Sequence, residues 1–472
     1  MQERTFYIET FGCQMNVNDS DWLSRSLIER GFSPAPYGEA QIYILNTCSV
    51  RDKAEHKVYS LLGMIRKATK KQDNVFMVVG GCVAQQEGTN FFKRFDQVRL
   101  VFGTDGLAMA PQAIERLVNN PELRLSLLDF SESFPERDAA LGDTAPASAF
   151  INIMQGCNNF CTYCIVPYTR GRQKSRTSAA VLDECRALLD RGAREITLLG
   201  QNVNSFGQDS KDSLKADAKI DPTTFTELLY KVAALDGLER LRFMTPHPKD
   251  LAPELIAAFG ELPNLCPRLH LPMQAGSNAV LKAMGRRYDM QRYLDIVHEL
   301  RKVRPDMVLS SDIIVGFPSE TEADFQCTLD AMREVNFAAS YSFCYSDRPG
   351  TRASKMPVKL SLEVKTERLA RLQNLQDELT AAALQDLVGR KSNVLLEGIT
   401  PQGSRVVTPD KPMSPSIIPH TDTHETWHGR DIYGFPVLIS LARGMKPNQL
   451  VPMTISEAKR HSLVGTQAGE PW

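Results

Sequence analysis

The chain has 472 residues, 42% hydrophobic and 24% charged, with a formal net charge of -1. That leaves room for two or three domains of roughly 100–200 residues and excludes a fibrous or strongly biased chain. No run approaches the roughly 18 apolar residues that span a bilayer, and MQERTFYIETFG lacks an apolar secretion segment, so a cytoplasmic protein with no membrane partner is expected.

In chain order, residues 1–130 alternate short apolar runs with helical patterns. FYIETFG (6–12), IYILNTCSV (42–50), VFMVVGGCV (75–83) and VRLVFG (98–103) read as buried parallel strands. Helices are expected near 19–31, 52–70 and 85–95. The product is a small doubly wound α/β domain. The stretch SESFPERDAALGDTAPAS (131–148) has no periodicity and reads as a linker.

From 149 to 387 the alternation resumes on a larger scale. Six strand candidates, FINIMQG, EITLLG, RLRFM, PRLHLPM, VLSSDIIVGF and AASYSFC, are separated or followed by helical patterns near 178–192, 224–235, 251–260, 278–284, 290–304, 320–335 and 361–387. Six βα units suggest a partial (β/α)6 barrel with its site at the C-terminal strand ends. GQDSKDSLKADAKIDP (207–222) is a polar insertion, expected to be a flap over that face. Residues 388–465 change to β-type runs with many Pro and Gly, for which a small antiparallel β-barrel is the natural expectation.

The ten cysteines decide the class, because in a long chain of this kind metal or redox chemistry is a better reading than disulfides. Cys157, Cys161 and Cys164 form C-x3-C-x2-C in GCNNFCTYC, after the first barrel strand. Three thiolates from one loop can hold three irons of a [4Fe–4S] cluster, which usually takes four cysteines, and leave one iron open. A tetrahedral zinc site is the alternative, but it takes a fourth ligand, and no His lies nearby.

Cys13, Cys48 and Cys82 are far apart in sequence but equivalent in position, each at or just past the C-terminal end of an expected parallel strand. Those ends share one edge of an open sheet, where ligands bind. The three make a second cluster site or three buried thiols; neighbouring Gly12, Gly80 and Gly81 favour the cluster. Cys185, Cys266, Cys327 and Cys344 lie on helical or strand patterns outside the two sets and read as core thiols.

Arg170, Arg172, Lys174 and Arg176 recur at every second position after the cluster loop. An extended segment would place all four on one face, as a stripe for an RNA phosphate backbone or as a solvated face. His420, His424 and His428 are four apart but lie in a turn-rich segment, so a solvated loop is expected rather than a metal site.

The two cysteine sets, together with TFGCQMNVNDSD (10–21), LNTCSVRDKAEHK (45–57), GGCVAQQ (80–86), GCNNFCTYCIVPYTRGRQKSR (156–176), LLGQNVNSFG (198–207), HLPMQAGSNAVLKAMGR (270–286) and SSDIIVGFPSET (310–321), resemble the methylthiotransferase family of radical-SAM enzymes over nearly the whole chain. GCQMN and LLGQNVNS are most similar to the subgroup acting on dimethylallyl-adenosine in tRNA. Two related subgroups act on threonylcarbamoyl-adenosine in tRNA or on a ribosomal-protein aspartate.

The resemblance implies an N-terminal methylthiotransferase domain, a radical-SAM barrel and a C-terminal TRAM-like barrel that binds RNA. It implies two [4Fe–4S] clusters and S-adenosylmethionine as cofactors. The barrel cluster with S-adenosylmethionine would generate a 5′-deoxyadenosyl radical that abstracts hydrogen from C2 of the adenine. The N-terminal cluster would supply sulfur, and a second S-adenosylmethionine the methyl group. Gly200, Gln201 and Asn202 would lie near the methionine end of the cofactor and Ser311 and Asp312 near its ribose, while His270 and Gln274 would face the substrate. Implied partners are a tRNA anticodon loop, whose bases can be unstacked into a pocket, and an electron donor such as flavodoxin or ferredoxin, with the chain acting as a monomer. A non-catalytic Fe–S or zinc RNA-binding protein is the rival from another class, against which the six-unit barrel argues. The motif segment departs from the family's pattern at Gln173, where an acid is common, and at Thr177, where Pro is common.

Overall fold

Residues 4–49, 54–70, 72, 74–137, 142–209, 221–400, 426–439 and 445–472 are described by the structure, a computed structural model. Its strands are β1 (Thr5–Thr10), β2 (Ser33–Pro34), β3 (Ile42–Thr47), β4 (Phe76–Gly81), β5 (Val98–Phe102), β6 (Leu125–Leu127), β7 (Ser148–Asn152), β8 (Met154–Gln155), β9 (Lys174–Ser175), β10 (Glu195–Leu199), β11 (Arg240–Phe243), β12 (Arg268–His270), β13 (Val308–Val315), β14 (Ala339–Cys344), β15 (Lys391–Thr400), β16 (Thr426–Arg430), β17 (Pro436–Ile439), β18 (Leu450–Ala458) and β19 (Leu463–Gln467). The helices are α1 (Gln14–Glu29), α2 (Ala54–Ala68), α3 (Cys82–Glu87), α4 (Asn90–Arg94), α5 (Ala110–Asn119), α6 (Val166–Thr169), α7 (Ser178–Asp190), α8 (Phe225–Ala233), α9 (Pro253–Glu261), α10 (Asn278–Met284), α11 (Met290–Val303), α12 (Glu322–Val335) and α13 (Leu362–Gln385).

The first six strands form one parallel sheet in the order β2-β1-β3-β4-β5-β6. Side chains alternate across it, so Ile42, Ile44 and Val78 pack with Leu23, Leu27 and Ile114 on one face. Tyr43, Leu45 and Met77 pack with Val58, Leu62 and Ile65 on the other. The central strands are therefore buried on both sides and read as continuous apolar runs. The short edge strands β2 and β6 and the helix α5 were not legible in the sequence pattern, and the helix expected at 85–95 is two, broken at Gly88 and Thr89.

Two three-stranded parallel sheets follow, β7-β10-β11 and β12-β13-β14, linked by a parallel bridge between Leu241 and Leu265. Together they make the six-stranded partial barrel. Its helices begin where the chemistry of caps places them: the Thr177 hydroxyl accepts from the Ala180 amide, and Thr224 with Glu227 and Thr321 with Asp324 form capping boxes. Thr177, standing where Pro is common, thus supplies the N-cap of α7.

The C-terminal segment closes into a barrel in the order β15-β16-β17-β19-β18, antiparallel except for the parallel pair β17 and β19. It docks at the N-terminal ends of the strands, opposite the site face. Arg240, Arg242 and Arg268 donate to the carbonyls of Arg430 (2.9 Å), Ile432 (2.8 Å) and Tyr433 (2.6 Å). Glu195 accepts from Arg242 at 2.9 Å, so this buried arginine carries a partner.

The expected linker is strapped down at both ends. The Ser131 amide donates to Asp105 at 2.6 Å, Arg137 pairs with Asp19 at 2.8 Å, and Phe134, Ala145 and Ala147 are buried. Residues 210–220 of the expected flap and His420 and His424 lie outside the described residues, while His428 sits in β16. Cys185 and Cys266 are core thiols as expected; Cys344 is half-buried, and Cys327 is exposed because it lies on the outer side of α12.

Candidate active site

Cys157, Cys161 and Cys164 follow β8, at the C-terminal face of the barrel. Gly156 permits the turn into this loop: its φ is +78°, and a Cβ there would lie 2.1 Å from the Arg172 carbonyl. The Gly156 amide donates to the Gln201 side chain at 2.6 Å, and the Asn159 amide points at the Cys157 sulfur at 3.5 Å. Buried Arg286 donates to the Cys161 sulfur at 3.7 Å and to the Pro272 carbonyl at 2.9 Å. Burial pushes the Cys157 thiol up, and burial with neighbouring Cys161 pushes Cys164 up to about 12. Such a crowded thiol set ionises only with a cationic partner, which is the donor chemistry of an iron–sulfur site.

Cys13, at the N-cap of α1, Cys48, after β3, and Cys82, opening α3, meet at the C-terminal edge of β1, β3 and β4. The approach is close: a Cβ on Gly12, whose φ is +103°, would lie 2.1 Å from the Cys48 Cβ. One on Gly81, with φ +89°, would lie 2.3 Å from the Thr47 carbonyl. Two polar side chains tie the three loops together. The Asn16 amide donates to the Phe11 and Thr47 carbonyls at 2.9 Å each, and its oxygen accepts from the Cys13 thiol at 3.7 Å. The Thr47 hydroxyl donates to the Gly80 carbonyl at 2.6 Å and accepts from the Val83 amide at 3.2 Å. The neighbouring Cys48, chiefly, and then Arg170, pull the Cys13 thiol down to about 6 against burial.

Among the described residues no three His, Cys, Asp or Glu side chains converge on a single-ion site. A four-iron cluster is wider than one ion, and each thiolate binds a different iron, so its ligands need not converge in that way.

The remaining expected contacts divide. The Gln201 amide nitrogen donates to the Met15 sulfur, so this residue bridges the cluster loop and the N-terminal domain. Asn202 donates to Asp250 at 2.9 Å, while its own oxygen is buried without a partner. Gly200 packs against Met154, where a Cβ would lie 2.5 Å from the Met154 Cγ. The Ser311 hydroxyl accepts from the Met273 amide at 2.8 Å and serves the backbone, whereas the half-exposed Asp312 carboxylate faces His270 at 3.4 Å. Gln274 is buried beside this pair with φ +71°.

The basic stripe is a correction. Only Lys174 and Ser175 are extended, and the side chains diverge. Arg170 is 4% exposed and donates to Asn16 at 2.8 Å. Lys174 is buried against Asp105, and Arg176 is paired with Glu184 and with Glu136 at 3.5 Å. Buried, paired cations cannot track a phosphate backbone, because they would have to leave their carboxylates first. Arg172 alone is exposed, its guanidinium 5.1 Å from the Phe160 ring centre. Gln173 is buried, donating to the Ser205 carbonyl at 2.6 Å and to Asp209 at 3.2 Å. An acid there would meet the Asp209 carboxylate, which explains the amide in this chain.

Sequence reasoning missed Arg286, Asn16 and His247. The His247 ring is buried at the end of β11 with an unpartnered Nε2, and burial first, then Arg286, pulls its pKa down to about 2, so it stays neutral. The unusual MTPHPKD after a strand was the available signal.

Comparisons with known proteins identify the family and the fold. Residues 5–103 match an uncharacterized protein family, UPF0004, and residues 151–332 match the Radical SAM superfamily. A tRNA-2-methylthio-N(6)-dimethylallyladenosine synthase of Nitratidesulfovibrio vulgaris is 66% identical over 100% of both chains. Those of Oleidesulfovibrio alaskensis and Lawsonia intracellularis are 62% identical over 100% of both chains and 49% identical over 98% of this chain and 99% of theirs. Among solved structures, the radical S-adenosylmethionine methyltransferase TsrM from Kitasatospora setae shares the fold, with TM-score 0.52 and 13% identity over 75% of this chain and 74% of that one. The chain belongs to the family of tRNA-2-methylthio-N(6)-dimethylallyladenosine synthases, with a Radical SAM domain as its barrel.

Proposed function

We propose that this chain attaches a methylthio group to C2 of N6-dimethylallyladenosine next to the anticodon of tRNA, using two [4Fe–4S] clusters and S-adenosylmethionine. The observation that carries the reading is the pairing of two thiol triads, one on each domain, across a shared wall of Met15, Arg170 and Gln201. The donor sets fit: each offers three thiols, and an unpartnered Asn202 oxygen and His247 nitrogen lie at the same barrel face. When bound, the barrel cluster and S-adenosylmethionine supply reductive cleavage of the sulfonium, and the N-terminal cluster supplies sulfur.

The chain's own residues orient and shield. Arg286 balances thiolate charge at Cys161, and Gln201 fixes the turn at Gly156 that aims the loop. Asn202, Asp312 and His247 are the polar groups offered to the cofactor; the His247 Nδ1 accepts from the Lys249 amide at 3.2 Å, so the neutral ring carries its proton on Nε2 and donates from there. Residues 1–130 carry the auxiliary cluster, 149–387 the radical chemistry, and 388–465 a TRAM-like contact with RNA. Electrons come from a small donor of the flavodoxin or ferredoxin type. Both triads lie on one chain, which supports a monomer; no described helix is long and apolar enough to cross a membrane, in keeping with work in the cytoplasm.

The test is nucleoside mass analysis. The protein reconstituted with iron and sulfide should convert tRNA bearing the dimethylallyl group and leave unmodified tRNA nearly untouched. Equal turnover of both tRNAs, or methylthiolation of a ribosomal protein alone, would overturn the assignment.

A further inference from the structure

An open cleft of about 550 Å³ lies beside the barrel cysteine loop, with Asn159, Phe160, Lys282, Arg287, Tyr288 and Arg352 in its wall. The wall is bonded to the loop itself. The Thr162 amide and hydroxyl donate to the Met284 and Ala283 carbonyls at the end of α10, at 2.9 Å each. The Thr162 carbonyl accepts from the Ala353 amide at 2.8 Å. Lys282, Arg287 and Arg352 therefore stand on backbone that is fixed against the cluster loop.

All three cations are exposed, and none of their charged groups has a hydrogen-bond or ion-pair partner among the described residues. Some exposed arginines elsewhere are held differently: Arg186, Arg333 and Arg460 each pair with an aspartate within 3.0 Å. The one acid lining the cleft, Asp289, is engaged in capping α11, accepting from the Arg292 amide at 2.9 Å. Three like charges around one cleft repel one another, and a polyanion relieves that cost. The surface continues into aromatic rings. Arg172 covers Phe160, and Tyr168, 48% exposed, meets Phe160 edge-on at 6.4 Å.

We propose that this cleft grips the sugar-phosphate backbone of the RNA substrate, with Lys282, Arg287 and Arg352 binding phosphates and Phe160 and Tyr168 offering faces to unstacked bases. Cations alternating with rings are how proteins hold single-stranded nucleic acid. The proposal rests on the tRNA reading above and gives the barrel its own hold on the strand, beside the loop of Cys157, Cys161 and Cys164. It takes the place of the stripe at 170–176, where Arg170, Lys174 and Arg176 are paired inside the protein and only Arg172 is exposed.

The experiment is an anaerobic anisotropy titration of a labelled tRNA anticodon stem-loop with the full reconstituted chain, between 50 and 200 mM salt. Each lost single-strand phosphate contact lowers the slope of log affinity against log salt by about 0.7. The triple variant Lys282→Ala, Arg287→Ala, Arg352→Ala should therefore lose about 2 from that slope. The double variant Arg287→Lys, Arg352→Lys should keep it, because a phosphate accepts either cation. A parental slope in the triple alanine variant overturns the cleft while leaving the tRNA reading intact. So does an equal loss in the lysine variant, which would mean that shape rather than charge was disturbed. Absence of RNA binding by the unmodified protein overturns both readings.

Discussion

Arg170, on the barrel loop, donates through its guanidinium to the Asn16 side-chain oxygen, 2.8 Å away in the N-terminal domain. Asn16 is the residue that ties the Cys13 and Cys48 loops together, so a barrel cation is locked onto the clasp of the auxiliary thiols. Burial works against the Arg170 charge, but Cys82, Cys13, Asp19 and Cys48 around it outweigh burial and hold its pKa above the ordinary value. A cation at this place stabilises added negative charge on a cluster held there. Arg170→Met should make that cluster harder to reduce, by about 60 mV or more, a factor of ten for a one-electron couple. Arg170→Lys should recover part of the shift. The measurement is a redox titration in a background lacking Cys157, Cys161 and Cys164, so that only the N-terminal cluster responds; an unchanged potential would reduce Arg170 to a structural tie.

Two separate triads imply about eight irons per anaerobically purified chain, four for each [4Fe–4S] cluster. Gly12→Ala puts a methyl group where the Cys48 Cβ already lies, at 2.1 Å, and at a backbone φ of +103°. That variant should fall to about four irons while the barrel cluster remains. Iron and sulfide quantitation checks both, and a parental content near four would count against the second site.

The triads should separate by function. Cys82→Ala should still cleave S-adenosylmethionine to 5′-deoxyadenosine under dithionite but form no methylthio nucleoside, since its domain packs around its own core. Cys161→Ala should lose both activities. Chromatography of the two products decides it. Methylthio product from Cys82→Ala at near the parental rate would make the N-terminal triad structural.

Asp431 lies where the C-terminal barrel meets the radical-SAM barrel: its carbonyl accepts from Arg240 and Arg242 at 3.2 Å each, and its carboxyl accepts from the Phe435 amide at 2.7 Å. Burial, only partly offset by the Phe435 amide and Arg242, Arg240 and Arg268, pushes its carboxyl up to about 6, and one of its oxygens is buried without a partner. The folded state therefore prefers the protonated acid. The stability that this contributes is complete below the unfolded value near 4 and is lost as pH rises through about 6. The rise from about 4 to about 6 corresponds to about 3 kcal/mol. Asp431→Asn should be more damaging at pH 4.5 than at pH 7.5, about a pH unit and a half to either side of that value. Unfolding midpoints of both proteins across this range would show it; a constant gap would mean that Asp431 is ionised throughout.

The sequence by itself determined the local and periodic features. The apolar runs that became β1, β3, β4, β5 and the six barrel strands were legible, most clearly β3, β4 and β10, where burial on both faces leaves no polar alternation. Cys157, Cys161 and Cys164 were legible because their spacing lies within one loop. The equivalence of Cys13, Cys48 and Cys82 followed from strand order, since each ends a parallel strand. Only the tertiary structure decided what crosses between domains. The period of two at 170–176 predicted one basic face, but a short helical turn ends at Thr169 and only Lys174 and Ser175 are extended, so the side chains scatter to Asn16, Asp105 and Glu184. Those partners lie up to 154 residues away, and long-range pairing leaves no periodic trace in the chain. The same holds for Lys282, Arg287 and Arg352, which share one cleft because Thr162 binds Ala283, Met284 and Ala353. Spacing fixes which residues share a strand or a turn; which charges meet a partner depends on packing between elements, and that is settled only when the chain is folded.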